Sequence, residues 1–174
     1  MHLTPAMQAF VLHWGEMGAK WGTNRSVAQI HALLHLSPEP LPADEIAQTL
    51  GIARSNVSTG LKELQTWKLV RVERQLGDRR DHFTSICDMM DLAVTVIEER
   101  RSREFVPTME AVRAAVLDAE GDQTPPPVRA RMQATLETMD LFDQWYLDIA
   151  KLPRSVQLTL AKMGARIARL VPKG

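Results

Sequence analysis

The stretch from Pro42 to Arg80 constrains the fold more than any other part of the chain. Residues 43–50 (ADEIAQTL) place Ile46, Ala47 and Leu50 on one helical face and end at Gly51, a residue suited to stopping a helix. After a tight turn, a second helix is predicted from about 54 to 67. At about 100° per residue, Ala53, Gly60, Leu61 and Leu64 all fall within about 60° of Val57, which makes one inward stripe. Ser55, Thr59, Lys62 and Thr66 lie on the opposite side, a face that is small, hydroxyl-rich and basic. Two strands follow. In Leu69–Gln75, Val70 and Val72 alternate with Arg71 and Glu73; in His82–Cys87, Phe83, Ser85 and Cys87 alternate with Thr84 and Ile86. Between them LGDRRD carries Gly77-Asp78, a hairpin-turn signal.

Charge gives this order a meaning. The 174 residues hold 21 Lys and Arg against 21 Asp and Glu, but the charges are segregated. Residues 54–80 contain seven basic and three acidic side chains, whereas residues 81–120 contain four basic and nine acidic ones. Helix, tight turn, helix and basic hairpin together form a winged helix-turn-helix. Its second helix can enter a major groove about 12 Å wide, where short polar side chains approach base edges. Arg54 and Lys62 reach phosphate or guanine, and Arg79 and Arg80 at the hairpin tip suit the backbone or a minor groove. The plainer reading is an ordinary surface helix followed by an ordinary charged hairpin.

The flanks are helical. Thr4 and Pro5 open a helix running to about Gly15–Gly18, and Val27, Ile30 and Leu34 mark another from about Asn24 to Leu36, which SPEPLP (37–42) stops. Residues 88–120 carry Met89, Leu92 and Val96, then Met109, Val112 and Val116, with a break predicted at Pro107. A helix after GDQTPPP (121–127) carries Met132, Leu136, Met139, Phe142, Tyr146 and Ile149. In the last one, opened by Pro153, Val156, Leu160, Met163, Ile167 and Leu170 form a heptad-type seam. The expected fold is mainly α: a winged helix-turn-helix with a two-stranded β-wing, flanked by N- and C-terminal dimerisation helices. The expected division is 1–41 (N-terminal helices), 42–87 (DNA-binding core) and 88–174 (C-terminal helices).

At these residues the chain resembles a known family. LLHLSPEPLPADEIAQTLGIARSNVS, the exit Leu64–Val70 and GDRRDHF are similar to the DNA-binding core of the MarR superfamily, and within it to the GbsR/MarR-type regulators. The resemblance runs from about residue 10 to 120. It implies a transcriptional repressor that binds double-stranded DNA as a homodimer, on pseudo-palindromic half-sites about 34 Å apart. It also implies recognition-helix contacts from Ser55, Asn56, Ser58, Thr59 and Lys62, and wing contacts from Arg79 and Arg80. Many relatives have Ser where Ala53 stands, so the helix is capped by Ser55 here or its start is less firmly fixed.

Other candidates compete with plainer readings. His31 and His35 can present two imidazoles to one metal, but no further ligand follows at suitable spacing, so no metal or other cofactor is expected. Cys87 reads as a buried thiol, and a lone cysteine excludes a disulfide framework. Trp14 and Trp21 with Phe142, Trp145 and Tyr146 could box a quaternary ammonium effector, although an aromatic dimer core explains the same spacing. Lys162, Arg166, Arg169 and Lys173 line one face of the last helix, which reads as a solvated face. No membrane span, signal segment or enzyme signature is present, so the expected location is cytoplasmic. The alternative to a DNA-reading regulator is a winged-helix interaction or scaffolding module.

Overall fold

The computed structural model describes residues 1–164 and 166. The chain divides into two compact units, Met1–Ser102 and Arg103–Gly174.

In the first unit, α1 (Pro5–Lys20) begins at Thr4, whose Oγ1 accepts from the Met7 N–H. The helix passes both glycines read as its end. A Cβ on Gly18 would lie 2.5 Å from the Ala28 Cβ, and one on Gly15 would lie 2.6 Å from the Gln29 Cγ, so these glycines let α1 approach α2 (Arg25–Leu36) closely. Packing, not termination, explains them. Gly18→Val is expected to force the two helices apart and cost about 1–3 kcal/mol of stability, readable in a denaturant titration.

SPEPLP does more than stop α2. Leu41–Pro42 form a two-residue strand, β1, ahead of α3 (Ala43–Leu50), which ends at Gly51 with φ 65°. After α4 (Arg54–Thr66) come β2 (Val70–Arg74) and β3 (Asp81–Ser85). The sheet is antiparallel with order β1-β3-β2, so the expected two-stranded wing is the outer part of a three-stranded sheet. Phe83 faces Leu41 on one side and Val72 on the other. The predicted alternation holds for Val70, Phe83 and Ser85, which are buried, but His82 is buried as well and Val72 is exposed. Cys87 is exposed rather than buried, because β3 has ended at Ser85 and the thiol lies in the link before α5 (Met89–Arg100).

The core of this unit joins α2 to the winged segment. Ile30, Leu33, Leu34, Ile46, Val57 and Leu61 are almost completely buried together. At about 1.5–3 kcal/mol for each large apolar side chain buried, this cluster dominates the stability of the unit. Gly60 makes it possible, since a Cβ there would sit 2.8 Å from the Ile30 Cδ1.

The break expected at Pro107 is a π-helical turn, Arg101–Phe105, ahead of α6 (Val106–Gly121). Proline has no N–H to give and crowds the carbonyl four residues earlier, so the regular hydrogen-bond ladder cannot pass through it. In the second unit α6 packs on α7 (Pro126–Ala150), with Met109, Ala119 and Leu136 buried and Arg113 Nη2 donating to Asp140 Oδ1 at 2.6 Å. In α8 (Arg154–Met163), Val156 is exposed and Leu160 and Met163 are half-buried. Ile167, Leu170, Arg169 and Lys173, the rest of the predicted seam and basic face, lie outside the described residues. No helix among the described residues is long and apolar enough to cross a membrane.

Candidate nucleic-acid interface

The inner stripe of α4 holds the helix in place. Val57, Gly60, Leu61 and Leu64 are buried, which leaves Arg54, Ser55, Asn56, Ser58, Thr59 and Lys62 exposed on the remaining surface. Ala53 is the N-cap and supplies no side-chain hydrogen bond. Ser55 lies inside the first turn, so it does not cap the helix and its hydroxyl remains on the outer face. Thr66, grouped with that face from its angle, turns its Oγ1 back onto the Lys62 carbonyl at 2.8 Å.

At the wing the two arginines differ. Gly77, with φ 88°, turns the chain, and Asp78 Oδ1 accepts from the backbone N–H of Arg80 at 2.9 Å in an Asx turn. The Arg80 guanidinium lies against the same carboxylate, with Nη2 to Oδ2 at 2.6 Å and Nε to Oδ1 at 3.1 Å, and its Nη1 donates to Asp44 Oδ2 at 3.1 Å. Arg79 is exposed and, among the described residues, has no such pairing. Arg80's hydrogen bonds hold the Asp78 carboxyl down at about 2 and keep Arg80 itself firmly charged. The Asp44 carboxyl is lowered first by the backbone N–H at the start of α3, then by Arg80, and also by the charge of Arg54. Buried His82 completes the support, its Nδ1 within 3.1 Å of the Arg80 carbonyl.

Asp44 was not singled out from sequence, and Asp78 was read only as part of the Gly77-Asp78 turn, not as the partner of Arg80. An Asp two places before an Arg in a Gly-containing turn was the available signal for Asp78. Asp44 had none, because its partner lies 36 residues away.

At its far end α4 is tied to α5. Lys68 adopts a left-handed φ of 56°, and its Nζ pairs with Oε1 of buried Glu99 at 2.6 Å. Arg100 lies 5.9 Å from the ring centroid of Trp67 and donates to the Trp21 carbonyl at 2.7 Å.

The aromatic candidates separate. Trp14 and Trp21 line one cavity of the first unit, where the third indole is Trp67. Phe142, Trp145 and Tyr146 sit on α7 in the second unit, the first two exposed and Tyr146 half-buried. His31 and His35 belong to a ladder of stacked rings with Phe10 and Trp14. Among the described residues no three His, Cys, Asp or Glu side chains are grouped to hold a metal ion.

Residues 21–81 match the model of a family described as the MarR family. No curated protein matches the chain. Among solved structures, a crystal structure of a transcriptional regulator aligns with TM-score 0.68 at 18% identity, covering 83% of this chain and 95% of that one. A mutant of S. aureus MepR bound to an oligodeoxyribonucleotide aligns with TM-score 0.39 at 18% identity, over 77% of this chain and 87% of that one. A MarR family transcription regulator aligns with TM-score 0.39 at 17% identity, over 86% and 88%. The chain therefore has a mainly helical, winged-helix fold with a small antiparallel sheet, and its segment 21–81 is similar to the MarR family.

Proposed function

We propose that the chain is a MarR-type transcriptional regulator of the GbsR kind, which binds double-stranded DNA as a cytoplasmic homodimer and represses from pseudo-palindromic operators. The observation that carries this reading is the position of Asp44. It bonds Arg80 of the wing at 3.1 Å while its carboxyl feels the charge of Arg54 at the start of α4. Wing and recognition helix thereby share one electrostatic neighbourhood, as an element that reads a groove and its backbone together requires. Ser55, Asn56, Ser58 and Thr59 read base edges, Arg54 and Lys62 reach phosphate or guanine, and Arg79 and Arg80 grip the backbone or minor groove. Asp78 pre-orients the Arg80 guanidinium. Control by a small-molecule effector is part of the same reading.

Selection of bound sequences from random DNA tests it and is expected to return a palindrome. On that operator, replacing Arg79 and Arg80 by Ala is expected to weaken binding on all sequences and to flatten the slope of log K against log[salt] by about 1–2. Thr59→Ala or Asn56→Ala is expected to relax preference at one base position, at about 1–3 kcal/mol. No selected sequence, and no effect from either set, would favour an interaction module that does not read DNA.

A further inference from the structure

The turn of the wing carries a side chain that neither the fold nor the contacts proposed above use. Leu76 is fully exposed and lies outside the buried cluster of the first unit. It is the second residue of a β-turn, Gln75–Asp78, closed by the Asp78 N–H donating to the Gln75 carbonyl at 3.2 Å, with Gly77 in third place at φ 88°. A lone leucine on a broad surface needs no explanation, but this one stands at the corner of a hairpin.

That corner is held stiffly. Asp78, which closes the turn, also accepts from the Arg80 N–H at 2.9 Å and binds the Arg80 guanidinium, which is bonded in turn to Asp44 of α3. A side chain presented on a fixed turn loses little freedom on binding. Arg79 is exposed nearby, and exposed Arg74 meets Asp81 only at 3.9 Å, so two guanidinium groups flank the leucine along the chain.

We propose that Leu76 is a wedge that enters the minor groove and parts one base step of the bound duplex. The proposal rests on the regulator reading and names a sequence preference for its wing. A duplex shows phosphate on its outside, while its apolar surface lies between stacked base pairs. A leucine brought by flanking arginines to a groove about 6 Å wide meets that surface by opening a step. Apolar side chains inserted in this way kink DNA by roughly 20–90°. Opening is easiest at flexible pyrimidine–purine steps such as TpA, whereas an arginine alone in the groove favours stiff, narrow A-tracts. Leu76 and Arg79 therefore pull toward opposite sequences, which separates a wedge from a purely electrostatic wing.

The test uses the full chain and the operator recovered by selection, with TpA or ApA at the steps flanking its half-sites. The adenine of each step is replaced by 2-aminopurine, whose fluorescence rises on unstacking. The parent is expected to bind the TpA operator at least about fivefold more tightly than the ApA one, to raise its fluorescence, and to draw the duplex ends together in energy transfer. Leu76→Ser, at an exposed position, is expected to leave thermal unfolding unchanged and to lose all three effects. Leu76→Met is expected to keep them. Arg79→Ala is expected to weaken binding to both operators and to retain the preference for TpA. Preference for ApA by the parent, no rise in fluorescence, persistence of the effects in Leu76→Ser, or their loss in Leu76→Met overturns the wedge and leaves the regulator reading standing. A selection that returns no operator overturns both.

Discussion

Replacing Leu61 by Ala is expected to lower the free energy of unfolding by about 2–5 kcal/mol. Leu61 is 2% exposed and lies in the one cluster shared by α2, α3, α4 and the sheet. Truncation removes apolar contact and leaves a void that α4 cannot close, because Gly60 already brings its backbone against Ile30. Thr59, two residues before it, is exposed, so Thr59→Ala should leave stability within about 0.5 kcal/mol of the parent. Urea titration of both variants checks the contrast. A Leu61→Ala loss below about 1 kcal/mol would mean that α4 is not held by its inner stripe.

Acid should destabilise the first unit through His31. Burial, with a smaller contribution from the charge of His35, lowers this imidazole from 6.5 to about 4. Between those values the unfolded chain binds a proton that the folded chain refuses, so stability rises with pH across this window and falls as pH drops from 6.5 towards 4. At about 1.4 kcal/mol per unit, the loss reaches about 3 kcal/mol at the lower end. His31→Phe removes the proton acceptor while keeping a ring beside Trp14 and His35. The measurement is the difference in unfolding free energy between parent and variant at pH 7 and at pH 4.5. It should shift in favour of the variant as pH falls, and a difference independent of pH would contradict the assignment.

Most of the winged segment could be read from the sequence because each of its elements is locally determined. The angular stripe through Val57, Leu61 and Leu64 is the stripe that is buried, Gly51 ends α3, and Asn24 caps α2 through its Oδ1. The misreadings arose where a residue's role depends on something distant in sequence. Gly15 and Gly18 have the local look of a helix end, and only the crossing with Ala28 and Gln29 reveals them as packing residues. Leu41 and Pro42 become a strand because Phe83 and His82, some forty residues later, pair with them. At the wing, the arginine pair was legible as charge. That Arg80 is held by two carboxylates while Arg79 is not depends on Asp44, an interaction that no spacing rule encodes.

The short strand β1 has a consequence for self-association. A sheet edge is a template onto which a neighbouring chain can add, and this one is closed at β1 by two residues, one of them a proline that has no N–H to offer. The opposite edge, β2, exposes Arg71, Glu73 and Arg74, charges that disfavour a second strand laid alongside. Concentrated protein should therefore resist fibril growth through the wing.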